Sequence, residues 1–133
     1  MGEEVLVEDQ IRDAKALIEI LDADGASPSL AAWYYYEDGE SWQLVLAGAF
    51  FDNLLGVHGG QSQAYRKVVD AFAKGTFSSL SIADVKLVKS EDELPKTIGT
   101  FITTPSKGFV RAHFTNNFVN GIFLKDLLLI RSA

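Results

Sequence analysis

The sequence predicts an α+β domain, a five-stranded, mainly antiparallel sheet with two or three helices packed on it, its elements running α-β-β-α-β-α-β-β. Three observations predict it. Apolar stripes at three- and four-residue spacing alternate with short β-prone runs. Turn residues join two pairs of those runs into hairpins. Finally, 133 residues with 47% hydrophobic and 23% charged side chains suit one core, so residues 1–133 are read as a single domain.

Glu8 and Asp9 open the first helix, in which Ile11, Ala14, Leu17, Ile18 and Leu21 share a stripe. Acid in the first turn suits the partial positive charge there, Gly25 offers the left-handed conformation that closes a helix, and Pro28 stops continuation. Leu30 to Tyr36, rich in aromatics, and Ser41 to Ala47, apolar and β-prone, flank Asp38-Gly39, a pair suited to a two-residue primed turn. They predict the first hairpin.

Gly48 to Gly60 mixes buried-looking Phe50, Phe51, Leu54 and Leu55 with glycines and Asn53, and is read as a loop containing a turn of helix. A second helix follows from Gln61 to Lys74 with Ala64, Tyr65, Val68, Val69 and Phe72 on one stripe and Gly75 beyond its end. Asp84 to Lys89 reads as the third strand. Ser90 to Ile102 reads as a short third helix carrying Leu94, Ile98, Phe101 and Ile102, with Pro95 in its first turn and Ser90 and Glu93 spaced as a capping box. The second hairpin joins Phe109–Thr115 to Ile122–Arg131 through a turn rich in Asn116, Asn117, Asn120 and Gly121.

Strand residues alternate faces, so a sheet covered on one side shows apolar residues at one parity. Here both parities are apolar. Leu30, Ala32, Tyr34 and Tyr36 oppose Ala31, Trp33 and Tyr35, while Ile122, Leu124, Leu128 and Ile130 oppose Phe123, Leu127 and Leu129. Three short helices cover one face of such a sheet and leave the other open. The expectation is a homodimer, with Trp33, Tyr35 and Phe123 as interface candidates. The alternatives are that Gly48–Gly60 folds over that face or that curvature closes it.

Composition excludes several function classes. With no cysteine the chain has no disulfide, thiolate metal site or cysteine nucleophile, and a reducing compartment fits. Met1 to Gln10 is acidic, unlike a secretory leader, and the longest apolar stretch, Leu44–Val57, is broken by Asp52 and Asn53 and falls short of the roughly 18 apolar residues of a membrane span. A cytoplasmic protein without membrane association is expected. The net charge of −6 repels phosphate, and the basic residues are scattered singly, so no nucleic acid is expected as partner.

Candidate chemistry is sparse. His58 and His113 fall in different elements with no carboxylate at metal-ligand spacing, so no metal is assigned. Gly56, Gly59 and Gly60 precede a helix, which makes His58, Gly59, Gly60 and Gln61 a candidate anion-binding entry, yet Gln61 and Ser62 stand where a nucleotide loop needs Lys and Ser or Thr. Flexible entry to the helix explains the glycines better. Asn116, Asn117 and Asn120 form a second candidate ligand-binding set, which turn chemistry explains first. Asp84-Val85-Lys86 resembles the acidic-x-Lys element of metal-dependent nucleases, with Asp52 as the further carboxylate, provided the three converge within about 5 Å. No Gly-x-Ser-x-Gly elbow anchors a hydrolase triad. Trp33, Tyr34, Tyr35, Tyr36 and Trp42 are aromatic enough to stack bases or sugars, but without basic neighbours they read as packing.

Trp33, Trp42-Gln43-Leu44-Val45-Leu46-Ala47, Leu80 to Val88 and Asn117 to Asp126 together resemble a family of small uncharacterised bacterial proteins, over roughly Leu17 to Arg131. The resemblance implies a bacterial or phage-borne domain with no activity, cofactor or catalytic residue to carry over. Gly48–Gln63 departs from the family pattern, and Lys125 stands where an acidic residue is expected. The expectation is therefore a non-enzymatic interaction or regulatory module with an unknown protein partner and no cofactor. The alternative is a metal-dependent nuclease or phosphate-handling hydrolase using Asp52, Asp84 and Lys86.

Overall fold

The computed structural model describes residues 6, 8–100, 102–119 and 121–133. Helix α1 (Glu8–Ala23) buries Ile11, Ala14, Leu17, Ile18 and Leu21 on the predicted stripe. It ends in a Schellman turn: Gly25 has φ 79° and the Ala26 N–H donates to the Leu21 carbonyl at 2.9 Å.

Strands β1 (Leu30–Tyr36) and β2 (Ser41–Ala47) pair antiparallel from Leu30↔Ala47 to Tyr36↔Ser41. Their connection spans Glu37 to Glu40 rather than two residues, and the left-handed residue is Glu40 at φ 50°, not Asp38 or Gly39. The predicted loop after β2 is mostly helix, α2 (Ala49–Leu55), with Phe51 buried. Helix α3 (Gly60–Phe72) starts so close to α2 that a Cβ on Gly60 would lie 1.7 Å from the Leu54 carbonyl oxygen. Glycine is therefore required there for contact, independent of any ligand.

A 3-10 turn over Ile82–Asp84 leads into β3 (Val85–Leu87), which runs parallel to β2 from Leu44↔Val85 to Leu46↔Leu87. Helix α4 (Glu93–Gly99) follows Asp92, whose carboxylate accepts the Lys89 N–H at 3.1 Å. The capping box expected at Ser90 and Glu93 does not form, because the Ser90 N–H donates to Asp52 instead, at 2.8 Å. Phe101, assigned to this helix from sequence, lies outside the described residues.

Strands β4 (Ala112–Val119) and β5 (Ile122–Ser132) pair from Ala112↔Leu129 to Val119↔Ile122. The strand thus runs through Asn116 and Asn117, where a turn was expected, and reverses after Val119. The sheet order is β3-β2-β1-β5-β4, antiparallel except for β2 and β3.

Helices α1, α2 and α3 cover the face bearing Ala31, Trp33, Tyr35, Trp42, Leu44, Leu46, Val85, Leu128 and Ile130. The other face, with Leu30, Ala32, Val45, Ala47, Leu127 and Leu129, is buried too. Ile98 and Leu94 of α4 pack on it, along with Ile102 and Val110. This corrects the expectation of an open second face: among the described residues four helices form instead of two or three, and the fourth crosses to the far side. The Gly48–Gly60 segment does not supply that cover, since its Phe51 packs on the first face.

The β4–β5 hairpin also changes face along its length. Ala112 and Phe114, then Val119, share the second-face cluster, as do Leu127 and Leu129, then Leu124 and Ile122. Parity reverses at Asn116, whose φ of 51° an asparagine tolerates at small cost, and Asn116 and Lys125 drop out of the strand register there. Leu124 accordingly lies with Leu127 and Leu129, not with Leu128 and Ile130 as simple alternation implies.

A β-bulge in β5 has a sharper consequence. Ala32 pairs with Leu129 but Ala31 with Arg131, so Ile130 is the extra residue and Arg131 is turned to the helix face. There its side chain is wholly buried. Its two terminal nitrogens donate to the Asp22 carboxylate at 2.8 and 3.0 Å, Nε donates to the Gly108 carbonyl at 2.9 Å, and the Phe109 ring lies 4.7 Å away. Ser27 Oγ donates to Asp22 at 2.5 Å. Burial pushes the Asp22 carboxyl upward, but hydrogen bonds from Arg131 and Ser27 and the guanidinium charge outweigh it, and its pKa falls below the ordinary value.

Removing one partner from a buried, hydrogen-bonded pair strands the other charge, so Asp22→Ala should cost about 3–5 kcal/mol in urea denaturation. Because the folded pKa is depressed, the stabilisation is fully present above the unfolded value of about 3.9 and is lost as pH falls through the folded value. The difference between wild type and Asp22→Asn should therefore shrink below about pH 4 and stay constant above about pH 5. Gly60→Ala should lower stability by about 1–3 kcal/mol through forced separation of α2 and α3, read in the same assay.

Candidate functional site

A groove of about 610 Å³ lies between α1 and the β5 side of the sheet. Its floor is Ile11, Leu128 and Ile130, presented by one turn of α1 and by the helix-facing residues of β5, and Phe109 and Val110 form a wall. Charges rim it. Arg111 donates to both Glu8 carboxylate oxygens, at 3.0 and 2.5 Å, joining the two banks, and Lys15 Nζ lies 5.3 Å from the Phe109 ring centre. Hydrogen bonding from Arg111 holds the Glu8 carboxyl below its usual pKa and raises that of Arg111. Both side chains are exposed, so this pair contributes little to stability.

Beyond the groove the same face of the hairpin carries a polar cluster. His113 is opposite Leu128 and Thr115 is opposite Asp126. His113 Nε2 meets the Asp126 carboxylate, and Thr115 Oγ1 lies 3.4 Å from the same nitrogen. A proton relay needs the orienting acid on one ring nitrogen and the nucleophile on the other. Here both partners share Nε2, so the arrangement fastens the two strands across the hairpin and does not poise a nucleophile. No carboxylate near His113 was expected from sequence spacing. Placing the turn at 116–121 hid the partnership, whereas a reversal after Val119 brings residue 126 across from residue 115.

The residues singled out in the sequence are dispersed. Asp52 accepts the Ser90 N–H beyond the C-terminal end of β3. Asp84 accepts the Ser81 N–H at 2.9 Å before its N-terminal end. Three residues of strand alone span about 10 Å, so the two carboxylates do not reach one ion. Lys86 instead sits over the Tyr36 ring, 4.4 Å from its centre. Among the described residues, no three His, Cys, Asp or Glu side chains stand together to hold a metal.

His58, Gly59 and Gln61 are exposed at the start of α3, where Gly59 has φ 79° and the Gly60 N–H donates to the Val57 carbonyl at 2.9 Å, so that amide is already used. Asn116 and Asn117 are exposed strand residues of β4 and line none of the described concavities, and Asn120 lies outside the described residues. Trp33 and Tyr35 are buried beneath the helices, with the Trp33 indole N–H lacking a hydrogen-bond partner, so neither offers surface to another molecule. Of the three interface candidates only Phe123 is exposed, at 41%, and it packs on Phe118, 74% exposed, with ring centres 5.0 Å apart. Phe118 was missed because the turn was expected around it.

A smaller hollow of about 210 Å³ lies between Tyr34, Tyr35, Tyr36, Glu37, Asp38, Phe123 and Lys125. Burial raises the pKa values of Tyr34 and Tyr36, aided for Tyr34 by Tyr36 and Glu37 and for Tyr36 by Tyr65, so both phenols are neutral at physiological pH. Their aromatic faces pack edge-on with centres 4.7 Å apart. The hollow extends the aromatic patch of the hairpin tip.

Comparison with protein-family models, with curated proteins and with solved structures finds no match. The functional reading rests on the chain's own residues. No described helix is long and apolar enough to cross a membrane.

Because Asp52, Asp84 and Lys86 are held apart by their separate partners, titration with Mg²⁺ or Mn²⁺ to millimolar concentration should leave the Tm unchanged. A site of micromolar affinity would instead stabilise the fold by several kcal/mol at a thousandfold excess, about 4 kcal/mol.

Proposed function

We propose that this chain is a non-enzymatic interaction or regulatory module that works in the cytoplasm as a homodimer. The observation that carries the reading is the outward display of Phe118 and Phe123 at the end of the β4–β5 hairpin. Two large aromatic rings packed at a tilt against each other and left in water lose free energy of burial that a partner surface would recover. Aromatic side chains of this kind anchor protein interfaces, and the neighbouring Tyr34 and Tyr36 hollow enlarges the patch. The acidic, cysteine-free composition supports a reducing, intracellular setting.

The nuclease or hydrolase alternative needs Asp52, Asp84 and Lys86 around one ion, and their hydrogen-bond and ring partners hold them in different places. Light scattering on the purified protein should give twice the 14.6 kDa chain mass at micromolar concentration. Phe118→Ser, which touches an exposed ring, should leave the fold intact and weaken association about tenfold or more. A strictly monomeric wild-type mass would remove the reading.

A further inference from the structure

We propose that β4 is the docking strand for a second copy of this chain, pairing antiparallel with its own counterpart about a two-fold axis at Phe114. The sheet would then continue as one of ten strands. The inference rests on the homodimeric reading above and names the surface and register it uses.

The two ends of the sheet are treated differently. At one end β3 is three residues long, and its Leu87 N–H is satisfied within the chain by the Tyr65 hydroxyl at 3.0 Å. At the other end β4 is eight residues long, five of them exposed and none buried. Edge strands are usually guarded by charged residues or proline, because an open row of backbone groups templates another strand. The β4 sequence Ala-His-Phe-Thr-Asn-Asn-Phe-Val contains no Lys, Arg, Asp, Glu or Pro. In a chain of net charge −6, which repels its copies, this edge is also free of formal like-charge opposition.

Symmetry and local geometry fix the register. A two-fold perpendicular to the sheet sets each residue opposite one on the same face, so the axis must fall on a residue. The left-handed Asn116 leaves Ala112 to Thr115 as the regular stretch, centred on His113 and Phe114. An axis on His113 would press two imidazoles together. An axis on Phe114 pairs two half-buried aromatic rings on one face and sets His113 opposite Thr115 of the second copy on the other, the same two side chains that already meet within one chain. It also directs the Phe118 end of each hairpin towards residues 109–111 of the second copy, which brings the exposed aromatic pair into the same interface.

The absence of native cysteine makes the test direct. His113 and Thr115 are exposed, so the double variant H113C/T115C should fold, and directly opposed residues lie about 4.5–5.5 Å apart at Cα, within disulfide reach. Mild oxidation should convert most of the double variant to a covalent dimer, while H113C and T115C alone remain largely uncrosslinked. Amides of residues 112–116 should also exchange more slowly as wild-type concentration rises. A dimeric mass without crosslinking in the double variant would overturn the edge assignment while leaving the homodimer standing. Equal crosslinking of a single variant would overturn the register. A monomeric mass, or crosslinking only to a different polypeptide, would overturn the self-pairing itself.

Discussion

The fold is organised around a cation that has no access to water. Arg131 stands at the end of the longest strand, and its guanidinium gathers Asp22 from the end of α1, Pro28 from the connection into β1, and Gly108 from the segment before β4. A charge is tolerated at such depth only when paired and fully hydrogen-bonded. The three chain segments are therefore constrained together, and the bulge at Ile130 is the backbone device that makes it possible. Without that additional residue, Arg131 would point with Leu129 into the apolar cluster on the opposite face.

Local features were legible in the sequence to the degree that their physics is local. The apolar stripe of α1, the Gly25 terminator, the pairing of both hairpins and the order of elements along the chain were readable from spacing, whereas the exact turns and the order of strands across the sheet were not. The correct inference that both faces of the sheet are apolar led to an incorrect count of what covers them. A seven-residue helix such as α4 carries only two turns of pattern, Leu94 and Ile98, and its destination on the far face depends on the route from β3 across to β4. Helix α2 was obscured in the same way by its flanking glycines, of which Gly60 permits the close contact with α3 and Gly48 lies against the Ser27–Ser29 backbone.

The candidate site was less legible. Asp22 with Arg131, Asp52 with Ser90, and His113 with Asp126 are separated by 109, 38 and 13 residues, and no periodicity relates such partners. For the histidine the information was present in principle, since a hairpin register follows from its turn. Three asparagines and a glycine near the reversal disguised which of them made it, and Asn116 and Asn117 proved to be strand. For Asp84 and Lys86 the tripeptide was real, but the strand it introduces is so brief that one residue caps its entrance and the other rests on a tyrosine.

The parity reversal at Asn116 acts on the hairpin as a half-twist acts on a ribbon: everything past it is exchanged top for bottom. Val119 and Ile122 are carried inward by it and Phe118 and Phe123 are carried outward. A β-branched residue at 116 would favour a straight strand over the left-handed one, and straightening would swap those pairs. The greasy tip would fold against the molecule's own underside, and its smaller aliphatic neighbours would face solvent. One residue's backbone angle thus decides whether the protein shows an aromatic surface to its surroundings or conceals it.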